Sequence, residues 1–400
     1  MMEGWKEYKL GDVLSRIVGG GTPSKSKPEY WNGNIFWCSV KDMSDGKFKI
    51  SETEDKISEL GLQNSSANLI KAGNLITSTR MGLGRAFINL SDMAINQDLK
   101  ALIPNEKTTT EFLLWLLLIK REELEGLGTG STVKGIRLET LRNIKINLPP
   151  LPIQHRIAKI LSAYDDLIEN NLKRIKLLEE MAQKTYEEWF VRFKFPGYET
   201  AVFGEVSGLP EGWEKVKLGE VAKLNSQSLK NDFKGEIQYI DIAGVSPNRI
   251  DSKTKYKYSE APGRAKRIVK HGDIIWSCVR PNRKSHAVIW KPENNVIAST
   301  GFCVITPMKL PTSYLYQFIT TDEYVGYLSN LAGGAAYPAV KPIHFKESEI
   351  IIPTDKLIMK YEEQHGNSLE LSWNLQIQNL RLKEARDILL PRLMTGMIDV

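Results

Sequence analysis

Residues 4–13 of the 400-residue chain read Gly-Trp-Lys-Glu-Tyr-Lys-Leu-Gly-Asp-Val, and residues 212–221 read Gly-Trp-Glu-Lys-Val-Lys-Leu-Gly-Glu-Val. Further pairs follow in the same order. Gly73-Asn74-Leu75-Ile76-Thr77-Ser78 is answered by Gly272-Asp273-Ile274-Ile275-Trp276-Ser277, and Leu102-Ile103-Pro104 by Val304-Ile305-Thr306-Pro307 with one residue inserted. A period of about two hundred residues is far longer than a solenoid unit. The chain is therefore expected to fold as two domains of one type whose loops have diverged, and its length suits that count.

Between Pro152 and Phe193 there is neither Gly nor Pro, and Ile157, Leu161, Tyr164, Ile168, Asn171, Ile175, Leu178, Ala182, Thr185 and Trp189 recur in steps of four and three. That is a coiled-coil seam, on a helix of about 60 Å at roughly 1.5 Å per residue. A seam needs a partner, and residues 356–394 offer one, with Leu371, Leu375, Leu382, Ala385 and Leu389 on a matching stripe. Asn171 and Gln378 are the polar seam positions, which fix register more often than they perform chemistry. Leu369, Leu371, Trp373, Leu375 and Ile377 also alternate with period two, but their strong helix-forming neighbours favour a helix. Prolines precede each long helix, at Pro149-Pro150 and Pro353. The expected layout is a first domain over 1–150, a helix over 151–195, a linker and second domain over 196–353, and a second helix over 354–400. The fold class is α+β: two strand-rich domains of the same type, separated and followed by long helices that pair as an antiparallel coiled coil.

The longest apolar run, Phe112 to Ile119, has eight residues, whereas a membrane span needs about 20. Neither a membrane partner nor a signal peptide is expected at Met1-Met2-Glu3-Gly4-Trp5-Lys6. Cys38, Cys278 and Cys303 are odd in number and lack Cys-x-x-Cys spacing, which argues against a disulfide framework and against zinc. These features point to the cytoplasm.

Net charge is +6, and its distribution says more than its size. Residues 253–291 hold eleven Lys/Arg against Glu260 and Asp273, while residues 153–193 hold seven of each sign. Positive charge thus sits in the repeated domains and not on the first helix. In the first domain the basic loops are Gly19 to Lys27, leading to Tyr30-Trp31, and Thr79 to Arg85; in the second they are Arg264 to Arg267 and Arg280 to His286. Lys and Arg neutralise phosphates, Arg also grips guanine with two hydrogen bonds, and Asn or Gln can do so with adenine. Trp5, Trp37, Trp213 and Trp290 lie beside apolar residues and read as core.

Signs of catalysis are missing. The Gly19–Ser26 stretch is no P-loop, because Ser24 stands where Gly must precede the Lys and Pro23 removes a backbone donor. His155, His271, His286, His344 and His365 show no metal-ligand spacing. There is no Gly-x-Ser-x-Gly elbow, no Gly-x-Gly-x-x-Gly after a strand, and no Asn-Pro-Pro or Asp-Pro-Pro string of the kind amino-methyltransferases use.

The whole chain resembles the specificity (S) subunit of type I restriction–modification systems. The resemblance is carried by Gly21-Thr22-Pro23-Ser24, Tyr30-Trp31-Asn32-Gly33, Ile35-Phe36-Trp37, Ser78-Thr79-Arg80-Met81-Gly82 and Ala94-Ile95-Asn96-Gln97. Pro149-Pro150-Leu151 with Gln154, Ile157-Ala158 and Leu161, the linker Phe195-Pro196-Gly197, and the ending Leu389 to Gly396 complete it. The second helix lacks a counterpart of Gln154, and the second domain lacks a Gly-Thr-Pro-Ser run.

The resemblance implies two target-recognition domains, each reading one half of a split, asymmetric site in double-stranded DNA, held apart by paired helices. It also implies two methyltransferase subunits docked on the helices and motor-nuclease restriction subunits beyond them. S-adenosylmethionine, ATP and magnesium would belong to those partners, with no cofactor in this chain. The expected DNA contacts are Thr22, Ser24, Lys25, Lys27, Tyr30, Arg80, Arg85, Asn96 and Gln97 in the first domain, and Arg264, Lys266, Arg267, Arg280, Arg283, Lys284 and His286 in the second. The expected spacer and docking residues are Gln154, Ile157, Leu161, Ile168, Asn171, Ile175, Leu178, Leu375, Leu382 and Leu389. No catalytic or metal-binding residue is expected. The competing reading is a coiled-coil assembly scaffold that reads no sequence, and a specificity subunit of a methyltransferase-only system is a further variant.

Overall fold

A computed structural model describes residues 4–130, 133–334 and 337–400. It divides into two compact units, one of the residues up to Asn170 with Gln378–Val400, the other of Asn171–Ile377.

In the first unit, one sheet runs in the order Leu14–Gly19, Leu99–Pro104, Leu75–Ser78, Ala86–Asn89 and Lys49–Ile50. A second has the order Lys56–Ile57, Trp31–Cys38, Met93–Ile95, Leu69–Ile70. The second unit repeats both. Ala222–Leu224, Phe302–Pro307, Ile274–Ser277 and His286–Val288 match the first four strands of the larger sheet, and Thr254–Lys257, Glu236–Ile240, Val296–Ser299 and Ala265–Ile268 match the smaller one. In each smaller sheet the central pair is parallel and the flanking pairs antiparallel. The internal repeat in the sequence is thus a repeat of topology.

Alternation explains why these runs are central strands. Leu75, Ile88 and Leu102 pack against Phe112 and Trp115 of the helix Thr110–Ile119, while Ile76, Phe87 and Ala101 fill a second cluster on the opposite face. In the second unit Ile274, Trp276 and Ile305 face Tyr314 and Leu315, and Ile275, Ala287 and Val304 face away. Period two thus buries both faces. The stretch after Pro311 forms two helices, Thr312–Thr320 and Asp322–Leu331, because Thr321 breaks the first and its Oγ1 caps the second by accepting from Tyr324 N at 3.2 Å.

The first long helix spans Leu151–Tyr186 and continues into a π-turn over Glu187–Val191, which turns the adjacent Trp189 and Phe190 both into the core. The second spans Asp355–Met394. Within the first unit, Ile157, Ala158 and Leu161 share a core with Leu393 and Met394, and Asp165 meets Arg386. The helices therefore run antiparallel.

Along the first helix Ile157, Leu161, Ile168, Asn171, Ile175, Ala182 and Trp189 are buried, with Leu178 half-buried. Along the second, Leu375 is buried and Leu382 and Leu389 half-buried, but Leu371 and Gln378 are exposed. Its covered line is Tyr361, His365, Ser368, Ser372, Leu375, Asn379, Leu382, Arg386, Leu389 and Leu393, in steps of four and three. Half of these are polar or charged, so the leucine pattern alone is drawn one residue out of phase at Leu371, Gln378 and Ala385, beside the covered Ser372, Asn379 and Arg386. Gln154 also has a different place from the expected one. It is 1% exposed, and its amide donates to the Lys107 and Pro149 carbonyls, each at 2.9 Å, and accepts from Thr108 Oγ1 at 2.9 Å. It pins the start of the helix to the first domain and presents nothing to a docked partner.

Among the described residues no helix is long and apolar enough to cross a membrane.

Candidate nucleic-acid interface

Both units build the same loop beyond the central strand. In the first, Ser78 N donates to Arg85 O at 3.0 Å, Thr79 N to Asp98 O at 2.8 Å, and Ile136 N to Thr79 O at 3.0 Å. In the second, Ser277 N donates to Ser285 O at 2.9 Å, Cys278 N to Gly301 O at 2.8 Å, and Val340 N to Cys278 O at 2.9 Å. Ser78 Oγ and Ser277 Oγ each donate to the carbonyl two residues on, of Arg80 and Val279. The structural match of Arg80 is therefore Val279, and that of Arg280 is Met81. Met81 and Arg280 share a left-handed backbone, φ 58° and 50°. The arginines thus leave equivalent loops from different positions, which gives the two units different surfaces.

A segment unremarked in the sequence closes each loop. Thr129 and Gly135 exchange backbone hydrogen bonds at 2.9 and 2.8 Å, as Gly333 and Ala339 do at 3.2 and 2.9 Å. Gly135 also bridges Arg80. Arg280 N donates to Pro338 O at 2.7 Å, and its guanidinium lies 4.8 Å from the centre of the Tyr337 ring, which is 71% exposed. The signal that could have found these bridges is the Gly-rich pair Gly128-Thr129-Gly130 and Gly333-Gly334, a further instance of the internal repeat.

In the first unit the Gly19–Lys27 loop crosses the turn Asn96–Asp98. Gly20 and Gly21 fit because a Cβ would lie 2.0 Å from Ile95 O and 2.0 Å from Ser66 Oγ. Trp37 Nε1 donates to Gly21 O at 3.0 Å, and Thr22 Oγ1 donates to Gln97 Oε1. On the other side of the same turn Arg80 pairs with Asp98 at 3.7 Å. Thr22, Gln97 and Arg80 are thereby gathered round one turn, with Ser24 and Lys25 exposed on the adjoining loop. Lys100 Nζ donates to Gln97 O at 2.7 Å, and burial lowers the pKa of its ammonium.

Several expected contacts are held inside. Tyr30 is 7% exposed and its hydroxyl accepts from Lys27 Nζ at 3.0 Å, so the ring offers no face to a base. Asn96 is 7% exposed and closes its own turn by accepting from Asp98 N at 3.1 Å. Arg85 bonds to Met43 O and pairs with Asp45, which also takes Arg121 at 2.7 Å. These residues line a cleft of about 240 Å³ with Trp115 and Arg386, in which the arginines already have acidic partners.

In the second unit Arg264 and Arg283 are exposed. Lys266 bonds to Asn231 Oδ1 at 2.7 Å and Tyr258 Oη at 2.6 Å, Arg267 to Ser228 Oγ at 3.3 Å, and Lys284 pairs with Asp322 at 2.6 Å. Lys253 and Lys291 pair with Glu293 and Glu370, so acids from outside the basic stretch neutralise part of it. His286 is 3% exposed and stacked on Trp276, with ring centres 4.3 Å apart and planes 10° apart. Burial, with Lys284 adding, lowers its pKa to about 3. A buried, neutral imidazole is out of reach of a DNA surface.

Two copies of one strand-rich fold, each with exposed cationic loops and each followed by a long helix, define a duplicated DNA-specificity fold. The chain matches the family described as "Type I restriction modification DNA specificity domain" over residues 2–180 and 210–379, and it belongs to that family. It is 27% identical over 415 residues to the type I restriction enzyme MjaIX specificity subunit of Methanocaldococcus jannaschii, covering 99% of this chain and 94% of that one. It is 33% identical over 207 residues to the EcoR124I/EcoR124II specificity subunit of Escherichia coli, covering half of each. Its fold is similar to the crystal structure of the type I restriction-modification system S subunit from M. genitalium, with TM-score 0.59 at 16% identity over 97% of this chain and 96% of that one.

Proposed function

We propose that the chain is the sequence-reading subunit of a type I restriction–modification complex, each domain reading one half of a split DNA site. The observation that carries this is the one-residue offset of the loop arginines, Arg80 against Val279 and Met81 against Arg280, on otherwise matching loops. One fold offering two different surfaces suits an asymmetric site. The long helices set the distance between half-sites and dock two methyltransferase subunits, with restriction subunits joining for cleavage. The chain performs no chemistry, and S-adenosylmethionine, ATP and magnesium act on its partners.

The experiment is methylome sequencing of a host expressing the cognate methyltransferase subunit with and without this chain. A split, asymmetric methylated motif present only with the chain is the expected result. An unchanged methylome, with the complex shown to assemble, would leave only the scaffold reading.

A further inference from the structure

The four side chains His286, Tyr316, Asn248 and Glu179 come from separate parts of the second unit and form one chain of hydrogen bonds, buried at His286 and Tyr316 and half-buried at Asn248 and Glu179. Asn248 Nδ2 donates to Glu179 Oε2 at 2.9 Å, and Tyr316 Oη donates to Asn248 Oδ1 at 2.7 Å. His286 Nδ1 lies 2.9 Å from Tyr316 Oη, and Asn248 N donates to His286 O at 3.0 Å. The direction of the chain follows from its end. Glu179 Oε2 accepts from the Asn248 amide nitrogen, which leaves the amide oxygen facing Tyr316. The tyrosine proton is then committed to Asn248, and His286 must donate from Nδ1.

The two ends of this chain matter for function. Glu179 is on the first long helix, and His286 opens the strand that follows the Arg280–Ser285 loop, whose base is closed by Ser277 N on Ser285 O at 2.9 Å. One turn further along the same helix, Gln183 Oε1 lies 3.3 Å from Thr320 Oγ1. The first unit has no such relay at the matching strand positions. Thr77 and Ala86 form the cross-strand pair that corresponds to Trp276 and His286.

We infer that His286, Tyr316, Asn248 and Glu179 are positioning residues that hold the second domain's basic loop at a fixed orientation to the first long helix, and so sharpen the reading of that domain's half-site. This rests on the sequence-reading function proposed above. A chain of linked side chains admits few arrangements, and removing one member leaves its neighbours, the buried His286 and Tyr316 above all, short of a partner.

The test uses the full chain assembled with its methyltransferase subunit, with methylation rates measured on duplexes that carry single mismatches in either half-site. Tyr316→Phe keeps the ring and removes the hydroxyl; Asn248→Gly keeps the left-handed backbone, φ 62°, and removes the amide. Each is expected to lower discrimination at one half-site about tenfold and leave the other unchanged. Glu179→Gln still offers Asn248 an oxygen and is expected to keep discrimination within about twofold of the wild type. Hydrogen exchange at Ile274–Ser277 should be unaltered throughout. Unchanged discrimination in both variants would overturn the inference. So would a loss matched by lost exchange protection, since the groups would then merely support the fold. A wild-type complex without half-site preference would instead overturn the function on which the inference rests.

Discussion

Arg386 meets Asp165 at 2.5 Å where the two long helices pack in the first unit, with side chains only 9% and 15% exposed. The same guanidinium bonds Asp387 at 2.8 Å and lies 5.1 Å from the centre of the Phe48 ring. Beside it, Lys49 pairs with Asp166 at 2.5 Å. The segment Phe48-Lys49 thus fastens the first recognition domain to both helices. Burial pushes the Asp165 carboxyl up to about 6 against the pull of Arg386, and its Oδ2 has no protein partner.

Removing one member of this pair should cost far more than removing both. Arg386→Met leaves Asp165 buried and unpaired and is expected to destabilise by about 3–5 kcal/mol, whereas adding Asp165→Leu should recover most of that loss. Chemical denaturation of the full chain measures it. Equal losses in the single and double variants would mean that the pair contributes only packing.

His286 makes stability depend on acidity. Its native pKa of about 3 lies below the ordinary 6.5, so as pH falls through 6.5 the unfolded chain takes up a proton that the native ring refuses. Stability from this group is complete above 6.5 and declines towards pH 3 by about 1.4 kcal/mol per unit. His286→Asn, which cannot titrate, should show a shallower decline in melting temperature between pH 6.5 and 4. Parallel pH profiles would count against a buried neutral imidazole.

Gly21→Ala should impair one half-site only. A Cβ there would stand 2.0 Å from Ser66 Oγ and 2.5 Å from the Ser66 carbonyl carbon, forcing the loop off the Asn96–Asp98 turn. Overpacking of this kind costs about 1–3 kcal/mol. The expected readout is a shift of the methylated motif towards degeneracy at one half, and degeneracy at both halves would contradict separate reading by the two domains.

Salt dependence separates exposed cations from internal ones. Lys25→Gln should reduce the slope of log affinity against log salt by up to about 0.9, the increment for one lost phosphate contact. Arg85→Gln should leave the slope unchanged and lower the melting temperature, because Arg85 is held by Asp45 and Met43 O. Anisotropy titrations of the assembled complex on its methylated site measure both slopes, and a reduced slope for Arg85→Gln would place that guanidinium at the DNA.

The duplication of a strand-rich domain was legible in the sequence because runs such as Gly73–Ser78 and Gly272–Ser277 recur in the same order, whereas the order of the strands in each sheet was not. The first helix seam was legible too, since it is mostly apolar from Ile157 to Ala182. The second seam was only half legible. Its stripe runs through His365, Ser372, Asn379 and Arg386, whose burial is compensated by partners distant in the sequence, such as Asp165 for Arg386. The candidate interface divided in the same way. Glycines at Gly20 and Gly21 and basic residues at Lys25 and Arg80 mark loops by composition. Which polar residues face outwards could not be read there, because Tyr30, Asn96, Arg85 and His286 are drawn inwards by Lys27, Asp98, Asp45 and Tyr316. The sequence by itself determined two strand-rich domains, two long helices and where cationic loops interrupt them, since period and composition are properties of neighbours. Only the tertiary structure decided which charges remain exposed, since a charge is neutralised by whatever the fold brings to within a few ångströms of it.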